Sequence, residues 1–253
     1  MAENSKIEWT DHTWNPWIGC TKVSPACDFC YAEDMMANRY GRVQWGAGED
    51  RSRTAAGTWR LPLQLERKAA AAGKIETVFC LSLGDIWDNE VDPLWRHQAF
   101  DVMNQTPHLI YLLLSKRIGN AVKMCDPMAG NRMLPRNAAL GATMVNQEEY
   151  DRDRIKLKDA AEALGAMFTF GSFEPMLGPV ILDKNAPDWI ICGGESGRHA
   201  RDMPEQWASD LRDGSTRFNR AFFMKQMSRK APIPASLLVR QRPNALVSRS
   251  GSE

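Results

Sequence analysis

Three cysteines crowd one short stretch of the chain, Cys20, Cys27 and Cys30 in GCTKVSPACDFCYA, with Phe29 directly before the last and Tyr31 directly after it. Cysteine thiolates hold iron–sulfur clusters, and a four-iron cluster with three protein ligands keeps its fourth iron open to a small molecule. Zinc is the competing reading, because C-x2-C is also a zinc half-site. A closed structural zinc site takes four ligands, usually as two such pairs, and no second pair exists here. His12 is the candidate that would complete a zinc site. The remaining cysteines stand apart. Cys80 in VFCLS and Cys192 in WIICGG lie inside apolar runs and read as small buried thiols, and Cys125 in KMCDP reads as a residue at a helix end.

A site of this kind needs a scaffold. The chain has 253 residues and is 43% hydrophobic, enough for one domain, and a barrel of alternating strands and helices takes roughly 250 residues. Lys and Arg total 32 against 31 Asp and Glu, a formal net charge of +1, so any basic site must be local. Six cysteines in a chain with its own core-forming segments are not a disulfide framework. No apolar run approaches the ~18 residues of a membrane span, and MAENSKIEW lacks a secretory layout, so the expectation is a cytoplasmic protein without a membrane partner.

Short apolar runs over 77–82, 109–115, 138–145, 167–173, 188–194 and 221–225 read as buried strands. Helical patterns lie over 61–72, 93–105, 147–164 and 204–212, so strand and helix alternate and a parallel sheet follows. Polar residues just after nearly every strand favour a partial or full parallel (β/α) barrel, whose working rim is its carboxyl-terminal face, over an open doubly wound sheet. Residues 1–240 form a single domain. Residues 41–59, with Gly, Arg and Trp but no period, read as a long loop over the rim, and 241–253 as a frayed polar tail.

At its cysteines the chain resembles the radical S-adenosylmethionine superfamily, whose usual loop is C-x3-C followed by x-aromatic-C. Cys27-Asp28-Phe29-Cys30 fits the second half, whereas the first gap is six residues, as in some branches of that superfamily. More narrowly, IEWTDHTWNPWIGC, SLGDIW, LLLSKR, SFEPMLGP, DWIICGGESG and FFMKQ resemble the three-Cys-motif phage proteins, a functionally uncharacterised family of bacteriophages and bacteria. The superfamily resemblance implies a [4Fe-4S] cluster, bound S-adenosylmethionine, a 5′-deoxyadenosyl radical and an electron donor protein, and the family resemblance leaves room for a partner protein. Phe29 would then pack against the adenine of the cofactor. The Gly-Gly-Glu-like element that follows the second strand in the superfamily corresponds here to Ser82-Leu83-Gly84-Asp85, which makes Asp85 the candidate acceptor of the cofactor's ammonium.

Other polar residues fall at strand ends. Literal Gly193-Gly194-Glu195 comes after a late strand, where the glycines would let backbone approach adenine or substrate while Glu195 and Ser196 offer hydrogen bonds. Lys116 and Arg117 would bind the cofactor carboxylate or a phosphate, Glu174 would orient ribose or substrate, and Asn146 would reach a ribose hydroxyl. Lys225, Arg198 and Arg201 read as solvated charges. Trp9, Trp14, Trp17, Trp45, Trp59 and Trp87 read mainly as packing groups, though aromatics interleaved with Arg51, Arg53, Arg60 and Arg117 would also stack on bases. A nucleic-acid or nucleotide-derived substrate is the expectation from that rim taken together with the phage association of the family the chain resembles. The alternative of another class is a non-catalytic binding module, stabilised by iron–sulfur or zinc, for nucleic acid or a partner protein.

Overall fold

The computed structural model describes residues 3–197 and 199–247. Strands β1 (His12–Trp14), β4 (Glu76–Cys80), β5 (Leu109–Ser115), β6 (Ala138–Thr143), β7 (Thr169–Phe173), β8 (Trp189–Gly193) and β9 (Ala221–Gln226) form one sheet in that order, and every pairing in it is parallel. Strands β2 (Trp17–Ile18) and β3 (Ser52–Arg53) pair antiparallel as a separate ribbon. The helices are α1 (Tyr31–Glu33), running directly into a π-helical turn over Asp34–Arg39, then α2 (Ala56–Ala71), α3 (Pro93–Asn104), α4 (Ala121–Met124), α5 (Gln147–Leu164), α6 (Glu205–Arg217) and α7 (Asn244–Val247).

Seven strands curl into a half-barrel, with β1 and β9 as its two edges. Closure would need an eighth strand joining those edges, so of the partial and full barrels expected, the partial one is found. Strand β1 escapes a search for apolar runs because it is three residues long and reads His-Thr-Trp. The long loop over 41–59 is shorter than its composition suggests: it contains β3, and α2 begins at Ala56.

Alternation along the strands sorts their side chains onto two faces. The outer face, with Tyr111, Leu113, Leu140, Ile190 and Phe222, packs against helix residues such as Leu65, Phe100, Leu157 and Leu211. The concave face carries Phe79, Ile110, Leu112, Phe170, Ile191 and Phe223, and Trp9 drops into it from the segment before β1. Its ring centroid lies 4.7 Å from Phe79, 6.2 Å from Phe170 and 6.3 Å from Trp189. Gly141 makes room for this filling, since a Cβ there would sit 2.3 Å from the Phe170 ring.

The segment from Gln241 is docked through Val247, contrary to the frayed tail expected. Its main chain bonds to Phe222, the Trp189 indole donates to the Gln241 carbonyl at 2.9 Å, and Leu246 joins the concave cluster. Composition misleads here because a few apolar residues in a polar stretch, Pro243, Ala245 and Leu246, are enough to dock it. Residues 248–253 lie outside the described residues.

Trp9 therefore holds the concave face together. Trp9→Ala is expected to cost about 3–5 kcal/mol, as for large aromatics removed from cores. Urea denaturation checks this, and a loss below about 1 kcal/mol would show that the concave face collapses without Trp9.

Candidate functional site

The cysteine loop leaves β2 through Gly19, whose φ of +116° is strained for any residue with a side chain, and whose Cβ would meet the Arg51 Cδ at 3.0 Å. Its N–H donates to the Leu83 carbonyl at 3.0 Å, which ties the loop to the segment after β4. Ser24 then caps a 3-10 turn over Pro25–Cys27, and Cys30 stands at the N-cap of α1.

Three side chains latch this loop over the carboxyl-terminal rim of the sheet. From the end of β5, Arg117 donates through Nη1 to the Cys20 Sγ at 3.4 Å and through Nη2 to the Thr21 carbonyl at 2.6 Å. The Tyr31 hydroxyl donates to the Ser82 carbonyl after β4 at 2.6 Å. Arg201, beyond β8, donates to Asp28 at 3.1 Å and to the Pro25 carbonyl at 3.0 Å while also binding Glu195. The loop thus spans the rim from β4 and β5 to β8. Phe29 is exposed, stacked on His199 at 6.3 Å with the Arg201 guanidinium 5.0 Å from its ring centroid.

All three loop cysteines are free thiols; Cys27 is buried, and Cys20 and Cys30 are half-buried. As a donor set, three unpaired thiols on one tethered loop fit a cluster with three protein ligands. Among the described residues no group of three or more His, Cys, Asp or Glu side chains is placed to hold a metal ion. His12 is committed elsewhere. Its Nε2 lies 2.9 Å from the Glu76 carboxylate and its Nδ1 accepts from the Asn4 N–H, which removes the fourth ligand that zinc would need. Burial pushes the Cys20 thiol up to about 11, the Asp85 charge adds to that, and Arg117 pulls the other way.

Asp85 is buried and its carboxylate is fully used. One oxygen accepts from the Ser115 hydroxyl at 2.7 Å and the Trp87 N–H at 2.9 Å, the other from Arg117 at 3.1 Å and the Lys116 N–H at 3.2 Å. An ammonium would have to displace one of these four, so the structure makes Asp85 the anchor of Arg117 rather than an open acceptor. For Arg117, burial works against the charged form, but Asp85 and Cys20 outweigh it and hold the group above the usual arginine range.

Arg51 is corrected more sharply. Its side chain is fully buried, and its five N–H donors meet Asp88 at 2.8 Å, Glu90 at 2.5 Å, the Thr21 hydroxyl at 2.7 Å, and the carbonyls of Glu49 at 2.8 Å and Gly46 at 3.1 Å. No donor is left for a phosphate. Arg53 is exposed, bonded to Gln98 and 4.4 Å over the Trp59 ring. Trp9, Trp14, Trp17, Trp59 and Trp87 are all buried, so none of them offers a face to a base.

Other expected site residues also have local employment. Asn146 caps α5, accepting from the Glu149 N–H at 2.9 Å, which ties up its carbonyl oxygen. Glu195 is held by Arg201, and a Cβ at Gly194 would lie 2.5 Å from the Ser228 nitrogen, so that glycine admits the chain after β9 rather than a ligand. Arg201 is accordingly a bridge, not a solvated charge, and Lys225 pairs with Glu174. Arg198 lies outside the described residues. The Ser82 hydroxyl meets Asn15, Ser196 is exposed, and the Lys116 ammonium has no partner among the described residues. Asn15 was missed by sequence reasoning: its side chain also accepts from the Leu83 N–H at 2.8 Å, and only its place beside Pro16 at a strand end hinted at that role.

Neighbouring strands β6 and β7 place Thr143 beside Ser172 on the concave face, two positions past Gly141 and Phe170. Both are buried, and neither hydroxyl bonds to another described residue. They were not singled out from sequence because nothing in the letters separates a strand serine that meets backbone from one that faces a cavity.

A structure similar to this one is that of a spore photoproduct lyase double mutant with bound AdoMet and a dinucleoside spore photoproduct, with a TM-score of 0.52 and 9% identity over 90% of this chain and 79% of that chain. At that identity the likeness establishes the fold alone, an α/β half-barrel shared with that lyase. No curated protein matches the chain. A family-wide sequence profile matches residues 4–244, and the chain therefore belongs to the family described as protein of unknown function DUF5131.

Proposed function

We propose that the chain is a radical S-adenosylmethionine enzyme, with Cys20, Cys27 and Cys30 as ligands of a [4Fe-4S] cluster. The observation that carries this reading is the three-thiol loop latched across the carboxyl-terminal rim of a parallel half-barrel. Held by those three thiolates, such a cluster would supply one-electron reduction of bound S-adenosylmethionine and, through it, hydrogen abstraction from a substrate. The chain's own part is to position and to keep dry. The concave aromatic filling closes the amino-terminal end, the loop covers the other, and between them Thr143 and Ser172 offer hydroxyls to a ligand.

A nucleotide-derived substrate remains our proposal, supported by the dinucleoside held by the structural relative. With Arg51 buried, its phosphate contacts fall to Lys116 and Arg53. Binding of DNA or RNA should then weaken with salt, and Lys116→Ala with Arg53→Ala should flatten that slope. Absence of binding at low salt, with cofactor cleavage triggered by a small molecule or a protein, would rule nucleic acid out.

Anaerobic reconstitution with iron and sulfide tests the radical reading. Replacing Cys20, Cys27 or Cys30 by Ala should abolish the cluster, whereas Cys80→Ala and Cys192→Ala should keep it. Stoichiometric zinc in place of iron, or a cluster that survives loss of Cys27, would sink the proposal. Because the Cys20 thiol must lose a proton to become a ligand, loading should be greater at about pH 8.5 than at about pH 6.5, as for metal sites generally. Loading that does not change with pH would count against thiolate ligation by this loop.

Arg51→Ala should cost about 3–5 kcal/mol by leaving the Asp88 carboxylate buried and unpaired. Calorimetric unfolding measures it, and an unchanged melting temperature would mean that water replaces the guanidinium.

A further inference from the structure

Arg117 does more than close the rim. Its guanidinium meets three groups at once: the Cys20 Sγ at 3.4 Å and the Asp85 carboxylate at 3.1 Å through Nη1, and the Thr21 carbonyl at 2.6 Å through Nη2. Its own N–H donates to the Ser115 hydroxyl at 2.7 Å, and that hydroxyl donates to Asp85, so side chain and main chain are locked into one network with the end of β5. The Arg117 side chain is 9% exposed and that of Asp85 is 6% exposed, so both charges act through little solvent.

We propose that Arg117 is a positioning residue for Cys20, and that the buried Arg117–Asp85 pair sets the reduction potential of the cluster through its hydrogen bond to that sulfur. This rests on the radical reading above. Hydrogen bonds to cluster sulfurs, together with net charge and solvent exposure, set the potentials of iron–sulfur centres. The reaction concerned is a one-electron reduction by a low-potential one-electron donor, which leaves the cluster with one more negative charge on iron and sulfur. An N–H and a positive charge against the Cys20 sulfur stabilise that reduced form, and the Asp85 carboxylate opposes it. The two members of the pair thus act on the potential with opposite signs. In folding they act with the same sign, because removing either one leaves the other buried and unpaired. That difference separates tuning from scaffolding.

The test is a dithionite titration of the full chain, reconstituted anaerobically without S-adenosylmethionine and followed by electron paramagnetic resonance. Wild type is compared with Arg117→Gln, Arg117→Lys and Asp85→Asn. Arg117→Gln should make the cluster about tenfold harder to reduce, a fall of ~59 mV for a one-electron couple. Asp85→Asn should shift the potential upward. Arg117→Lys, which keeps the charge but cannot serve all three acceptors, should fall between wild type and Arg117→Gln, with lower cluster occupancy than wild type. If Arg117→Gln cannot retain a cluster, the positioning half is supported and Asp85→Asn alone decides the tuning. A wild-type cluster with unmoved potentials, or with both charge-removing variants shifted the same way, overturns this inference and leaves the radical reading intact. A wild type that takes up no cluster overturns both.

Discussion

The start of the cysteine loop is fixed at Thr21, where two buried arginines converge. Arg51 takes its hydroxyl and Arg117 its carbonyl, so the residue after Cys20 is held from both sides of the loop. Burying a guanidinium is costly unless its donors are met. Arg51 meets that condition with five acceptors, two of them carboxylates, and these acceptors come from the cysteine loop, the loop over 41–55 and the turn after β4. Three segments with little regular structure of their own thereby become one body. The positive φ at Gly19 belongs to the same constraint, because any side chain there would strike the Arg51 stem.

The half-barrel supplies what those loops fasten to. Parallel strands place all their carboxyl ends on one edge, so residues far apart in sequence, Ser82, Arg117 and Glu195 among them, share one rim. An open edge between β1 and β9 leaves the concave face in need of cover. The chain fills the amino-terminal half with Trp9 and Leu246, taken from its two ends, and leaves the carboxyl-terminal half to small polar residues and the cysteine loop. Two clefts of 460 and 680 Å3 flank the amino-terminal ends of β7 and β9, around Arg220, and are remote from that chemistry. Among the described residues no helix is long and apolar enough to cross a membrane.

Much of the fold was legible because buried parallel strands write themselves as continuous apolar runs. The run over 109–115 and the helix over 147–164 appear in the structure with those bounds. The losses share one cause. Strand β1 and the docked segment through Val247 contribute few apolar residues each, and their place is set by partners distant in sequence. In the site, the cysteine loop was legible as a donor set, whereas the roles of charged residues were not. Arg51 and Arg53 are two positions apart and look alike, yet one is fully buried and the other exposed, because only Arg51 faces Asp88 and Glu90.

The glycine and carboxylate letters teach the same lesson more narrowly. Gly193-Gly194-Glu195 has the spelling of a ligand-binding turn, but Gly194 admits the Ser228 backbone and Glu195 receives Arg201, so the element binds the rest of the rim to itself. Asp85, at the position the resemblance indicated, is likewise saturated by four donors. A residue whose hydrogen-bonding capacity is filled within the fold can influence a ligand only through what it holds in place. By that criterion the groups free to meet a ligand directly include the three thiols, the Thr143 and Ser172 hydroxyls, the Lys116 ammonium and the exposed Arg53, while Arg117, Asp85, Arg51 and Arg201 are held within the rim.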